Sequence, residues 1–183
     1  MAAKDLILDF SEYDLDHVIG DLEEIRRYNL QRFEVEQLTA VVYADPERAI
    51  CAGYKDVTNN DFWVRGHMPG LPLMPGVVMC EAAAQLSSYF AQKYNLLGCP
   101  VLGLGGLEEV RFRGAVVPGD RLVVVVRRMK ARRGAMILCH FQGFVKQSMV
   151  VEGKIIGVCL PIDEPTAAAL AGRSPATSAA PSK

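Results

Sequence analysis

The 183-residue sequence lacks most of the features that assign a chain to a class at sight. It contains no C-x-x-C pair, and its five cysteines, Cys51, Cys80, Cys99, Cys139 and Cys159, are odd in number and widely spaced. That pattern argues against a disulfide framework or a structural zinc site, and it leads us to expect a reducing, cytoplasmic compartment. No apolar run approaches the ~18 residues of a membrane span, so none is expected. The opening "MAAKDLILDFSEYDLD" has the pattern of neither a secretory signal nor a transit peptide. Charge of one sign is also missing: 20 Lys and Arg stand against 21 Asp and Glu, a formal charge of -1. Nothing then draws the whole molecule onto nucleic acid or an anionic surface. The glycine-rich "GLGLGGLEEV" lacks the third Gly of G-x-G-x-x-G, and Glu108 and Glu109 would repel phosphate, which excludes a dinucleotide site. Histidine is scarce. His17 and His140 read as structural, and neither has metal-ligand spacing with His67, so no metal and no cofactor are expected.

What is there is apolar. Half of the residues are hydrophobic, in a chain of single-domain length, so one compact core is expected over residues 1–162. Residues 17–32 place Val18, Leu22, Ile25 and Leu30 near helical spacing. "QLTAVVYA" and "RAICAGYKDV" flank the turn "DPER" and read as a β-hairpin. The stretch 76–93, "GVVMCEAAAQLSSYFAQK", reads as the longest helix, starting at Pro75–Gly76 and apolar on nearly every side, so it should be buried inside a sheet. Four β-rich segments follow, joined by "AVVPGD", "RRG" and "QS", and are expected to form an antiparallel meander. From residue 163 the composition turns to Ala, Pro and Ser, which suits a disordered tail, with a short helix over "AAALAG" as the alternative. The class is α+β.

Chemistry concentrates in "RGHMPGLPLMPGVVMCEAAAQ", residues 65–85. Prolines restrict the loop, so His67 can be held in one place at small entropic cost. The helix that starts at Gly76 offers unpaired N–H groups and a partial positive charge, and Gly76 lets an oxygen approach its backbone N–H closely. Glu81 stands beside Cys80 and three alanines, surroundings that suit a carboxyl able to hold or share a proton. Gln85, one turn on, is placed to hydrogen-bond that carboxyl. A base, an acid and a carbonyl-polarising helix end together suit proton abstraction beside a carbonyl with loss of water from the β carbon.

This stretch resembles the signature of the β-hydroxyacyl-acyl-carrier-protein dehydratases of the FabZ type, G-H-F-P-x-x-P-x-x-P-G-x-x-x-x-E-A-x-A-Q. His67, Pro69, Pro72, Pro75, Gly76, Glu81, Ala82, Ala84 and Gln85 match it, and Met68 replaces Phe. Arg113, Pro118, Gly119 and Asp120 fall in register with the family's second block. The resemblance implies a hot-dog fold, a curved antiparallel sheet wrapped around one long central helix. It also implies a homodimer with shared active sites, which can assemble further into a hexamer as a trimer of dimers. The substrate would be a (3R)-3-hydroxyacyl chain on acyl carrier protein. His67 would take the α proton, Glu81 would protonate the departing hydroxyl and the Gly76 amide would bind the thioester carbonyl. Residues 1–35 read as a divergent N-terminal helical segment, and "EIRRYNLQRFEVEQL", which corresponds to the family's opening P-H-R-x-P-F-L-L-x-D-like stretch, keeps almost none of it. Two alternatives therefore stay open: an acyl thioesterase of the same fold and a non-catalytic acyl-binding paralogue. "RRMKARRG" offers Arg127, Arg128, Lys130, Arg132 and Arg133 as a docking patch for the acidic carrier.

Overall fold

The computed structural model describes residues 6–171. In chain order its elements are α1 (Leu22–Tyr28), β1 (Ala40–Asp45), β2 (Ile50–Asp56), α2 (Gly76–Lys93), β3 (Leu102–Phe112), β4 (Arg121–Arg132), β5 (Met136–Val145), β6 (Ser148–Cys159) and α3 (Glu164–Ala171). The six strands form one antiparallel sheet in the order β1-β2-β4-β5-β6-β3. The sheet wraps α2, which is the hot-dog arrangement.

Alternation along β4 shows how the sequence builds this. Leu122, Val124 and Val126 join the core around α2, whereas Val123 and Val125 face the other side and pack with Ile7, Leu8 and Phe144. A continuous apolar run is therefore buried on both faces, which places β4 at the centre of the sheet. Helix α2 buries Val78, Met79, Leu86, Tyr89 and Phe90, among others. Each large side chain so buried contributes about 1.5–3 kcal/mol.

Four features of the molecule differ from what its sequence leads one to expect. The last four strands are not a simple meander: β3 crosses to the far side and pairs with β6, while β4 pairs with β2 and β5. The reason lies in composition, since polar Glu108, Glu109 and Arg111 suit an edge and the valines of β4 do not. Helix α1 is shorter than 17–32 because Asp21 caps it, accepting from the Glu24 N–H at 2.8 Å, and Gly20 instead bridges to Val41 of β1. Val18 and Leu30 are exposed as a result. Cys99 and Cys159 form a disulfide, Cα atoms 5.9 Å apart, because Cys99 just precedes β3, whose Leu102 is the register partner of Cys159. Sixty residues separate the two cysteines, so spacing could not reveal the bond, and the cysteine pattern no longer argues for a reducing compartment. Finally, the start of the expected tail forms helix α3, in line with the alternative of a short helix over "AAALAG" rather than with disorder; residues 172–183 lie outside the described residues.

Candidate active site

The loop between β2 and α2 is fixed at both ends before it presents His67. At its start, the Val57 N–H donates to the Asp120 carbonyl and the Gly119 N–H donates to the Val57 carbonyl, at 2.9 and 2.8 Å. At its end, the Met74 N–H donates to the Val116 carbonyl at 2.8 Å. Trp63 and Met74 are buried and anchor the loop in the core. Between them the Trp63 carbonyl accepts from the Gly66 and His67 N–H groups, and the Leu73 N–H donates to the His67 carbonyl at 2.9 Å. The His67–Met68 peptide is cis. Pro75 then takes an extended conformation and α2 begins at Gly76.

The His67 ring is exposed, and its Nδ1 lies 2.8 Å from the Leu73 carbonyl oxygen. A carbonyl only accepts, so in the neutral ring Nδ1 carries the hydrogen and Nε2 holds the lone pair. Glu81 is half-buried in the second turn of α2. Its Oε1 accepts from Gln85 Nε2 at 2.7 Å. The orientation of that amide is set by its other partners: Gln85 Oε1 accepts from the Gln37 N–H at 2.8 Å, and Nε2 also donates to the Val35 carbonyl at 2.6 Å. The fixed amide therefore occupies Oε1 and leaves Oε2 as the oxygen able to carry a proton.

Glu81 lines two cavities. One, of 190 Å³, is walled by Val35, Phe62 and Val78. The other, of 250 Å³, runs along Ala84 and Ser88 beneath Leu102 and Leu104. It shares Gln31, Ser88 and Leu102 with a third cavity of 320 Å³ that reaches Gln92 and Pro100. The groove thus follows one face of α2 from Glu81 past Ala84 and Ser88 to Gln92. His67 lines none of these three cavities. A larger space of 590 Å³ lies on the opposite face of the sheet, between Phe10, Tyr13 and Phe144, and contains none of the candidate residues.

Gly76 stands beneath the Phe112 ring: a Cβ there would lie 2.6 Å from Phe112 Cε1. The end of β3 therefore packs directly on the start of α2. Burial pushes the neighbouring Cys80 thiol up to about 11, so it is no candidate nucleophile.

The five basic residues do not share one surface. Arg127 and Arg128 are consecutive in β4 and point to opposite faces. The Arg127 Nη2 donates to the Ile7 carbonyl at 2.5 Å, and the Arg133 Nη1 donates to the Asn95 carbonyl at 3.0 Å. Lys130 and Arg132 are exposed beyond a bulge in the strand. His17 is exposed, and His140 lies half-buried in β5, where burial holds its pKa below the usual value. Among the described residues no group of three or more His, Cys, Asp or Glu is placed to hold a metal ion, and no helix is long and apolar enough to cross a membrane. Val35 and Gln37 carry no side-chain signal for this role, since they hold Gln85 from 50 and 48 residues away through their main-chain atoms alone.

Residues 30–154 match the model of the FabA-like domain family. The 3-hydroxyacyl-[acyl-carrier-protein] dehydratase FabZ of Syntrophobacter fumaroxidans is 32% identical over 138 residues, 74% of this chain and 91% of that protein. The FabZ of Desulfotalea psychrophila is 32% identical over 127 residues, 68% of this chain and 83% of its own length. Among solved structures, the ApeI:P dehydratase heterocomplex of Xenorhabdus doucetiae aligns at a TM-score of 0.63 and 13% identity, covering 81% of this chain and 97% of that one. The PaaI protein of E. coli aligns at 0.51 and 12%, covering 64% and 80%. With the architecture, the loop-and-helix stretch and these likenesses together, the chain belongs to the FabA-like family, beside its FabZ 3-hydroxyacyl-acyl-carrier-protein dehydratases.

Proposed function

We propose that the protein dehydrates (3R)-3-hydroxyacyl chains carried on acyl carrier protein to the trans-2-enoyl product, in fatty acid or related acyl-chain synthesis in the cytoplasm. The observation that carries this reading is the Glu81–Gln85 arrangement: a carboxyl at the mouth of an acyl-sized groove, with one oxygen held and the other open.

In the reaction, His67 Nε2 takes the proton from the α carbon, and the thioester carbonyl receives the enolate charge. The Gly76 N–H, at the positive end of α2, stabilises that oxygen. As the α–β double bond forms, the bond from the β carbon to its hydroxyl breaks, and Glu81 supplies a proton from Oε2 so that water leaves. The imidazolium then loses its proton and the carboxylate regains one, which resets the pair. Gln85 keeps Glu81 turned to the groove. An acyl thioesterase would instead direct water at the thioester carbon and release the free thiol, which dehydration does not.

A second copy completes the site. The β1 edge of the sheet is partly covered by the Gly20–Val41 bridge, but the β3 edge has no paired strand among the described residues and exposes Leu104, Leu107 and Phe112. Met68, Leu71 and Val77, around His67 and the start of α2, are exposed as well. Apolar side chains along an open edge suit isologous pairing of two subunits. His67 of one subunit then faces Glu81 of the other. Further assembly of three dimers is compatible with this pairing. The acidic carrier docks at the basic end of β4, with Lys130 and Arg132 in front and Arg128 beside them.

The test is hydration of crotonyl-CoA, the reverse reaction, followed by loss of enoyl absorbance. His67→Ala and Glu81→Ala should each lower the rate on the order of 10²- to 10⁴-fold while both variants stay folded. No activity in the wild type, with carrier-bound substrates of several lengths also tried, would overturn the dehydratase reading and favour an acyl-binding role.

A further inference from the structure

The most buried ion pair among the described residues lies at the foot of the loop that carries His67. Lys55 Nζ and Asp61 Oδ1 are 2.7 Å apart, and less than a tenth of either side chain is exposed. Lys55 belongs to β2, whereas Asp61 lies in the loop, so the pair ties the loop to the sheet. The other carboxylate oxygen of Asp61 accepts from the Thr58 N–H at 2.7 Å, and the Asp61 carbonyl accepts from the Val64 N–H at 3.0 Å. These bonds close a tight turn that ends at buried Trp63, and the Trp63 carbonyl accepts from the His67 N–H at 2.8 Å. A short chain of fixed bonds therefore runs from the sheet to the histidine.

Stability alone does not account for such a pair. Placing two charges in the interior gives no general gain over apolar side chains of the same size, whereas removing one partner strands the other. What a buried ion pair adds is a preferred geometry, and here that geometry is the path of the loop.

We infer that Lys55 and Asp61 are positioning residues for the dehydration, holding the loop so that His67 Nε2 is aimed at the α carbon of the substrate. The inference rests on the reading of His67 as the base. A misplacement on the order of 1 Å at such a base can slow a reaction by about 10²-fold.

The experiment replaces the pair as a unit, Lys55→Met with Asp61→Leu, and compares it with Asp61→Asn, which keeps shape and a hydrogen-bond acceptor but no charge. Three readouts are taken: the melting temperature, kcat and KM for crotonyl-CoA hydration, and the His67 tautomer from the nitrogen NMR signals of its imidazole. The double variant should melt near the wild type while kcat drops by roughly 10- to 100-fold at nearly constant KM. Its His67 signals should change from a single Nδ1–H tautomer to a mixture. Wild-type kcat with an unchanged tautomer would overturn the inference. If the double variant fails to fold, Asp61→Asn decides by the same two readouts at a temperature below its melting point. His67→Ala measured alongside separates the two claims: a His67→Ala variant that keeps wild-type activity counts against the base itself, and the tautomer still decides for or against the pair.

Discussion

Glu81 and His67 belong to one candidate site, yet the fold treats them in opposite ways. Glu81 is half-buried on the central helix, and its carboxyl is held by an amide that two further bonds, to the Gln37 N–H and the Val35 carbonyl, keep in place. His67 is exposed on a loop, tied by one ring nitrogen to the Leu73 carbonyl, and lines neither of the cavities that Glu81 lines. The Glu81 half is built into the subunit, and the His67 half is presented at its surface among exposed Met68, Leu71 and Val77. A site divided this way fits the proposed pairing of two subunits. The largest expected effect follows from that division. His67→Ala and Glu81→Ala subunits, each inactive alone, should regain crotonyl-CoA hydration when co-expressed, because a mixed dimer contains one site with both groups intact. Mixed dimers isolated by two affinity tags and found inactive would show that each subunit uses its own pair.

The next effect comes from separating the halves. Leu104 and Leu107 are exposed on β3, so Leu104→Lys with Leu107→Lys should leave the subunit folded while introducing charge on the open edge. Sedimentation should show monomers, and activity should fall with the dimer fraction. A stable monomer with full activity would break the comparison.

Acting on the anchored half alone should have a smaller consequence. Gln85→Leu leaves the Gln37 N–H and the Val35 carbonyl without partners and frees Glu81 to turn. Each buried group left unpaired costs about 1–3 kcal/mol. Thermal melting should reveal that loss. kcat should decrease by roughly 10-fold, less than the 10²- to 10⁴-fold that removal of the acid–base group itself would produce. Loss of stability with unchanged kcat would make Gln85 a structural residue only.

How much of this could be read from the sequence depended on how local each signal was. The central helix was legible residue for residue, since Pro75, Gly76 and the apolar run through Lys93 are neighbours in the chain. The β1–β2 hairpin was legible for the same reason, through its turn. Strand order was not, because the partner of β3 is chosen by competition between edge and centre, and that depends on six strands at once. The Cys99–Cys159 bond and the cradle around Gln85 were hidden for a related reason: they join segments 48 to 60 residues apart, and two of the cradle's atoms are backbone, which leaves no side-chain signature. Which of the basic residues share a surface was hidden as well, because a one-residue step in a strand reverses the face, so Arg127 and Arg128 diverge.

The smallest expected effect concerns what the anchored half does besides holding the acid. The groove from Glu81 passes Ala84 to the point where Gln31, Ser88 and Leu102 line both the 250 Å³ cavity and the 320 Å³ cavity beyond it. Ser88 is two turns below Glu81 on the same face of α2, and its small side chain leaves the passage open. If the acyl chain lies inside the subunit that supplies the acid, Ser88→Leu should obstruct long chains and affect short ones much less. The few methylenes displaced from the groove are worth about 0.8 kcal/mol each, so the ratio of kcat/KM for a twelve-carbon to a four-carbon substrate should fall by roughly 10-fold. The melting temperature should barely change, since the added side chain enters space that is already open. An equal fall for both substrates would place the acyl chain elsewhere, and it would leave Glu81 as the only contribution of this half to the reaction.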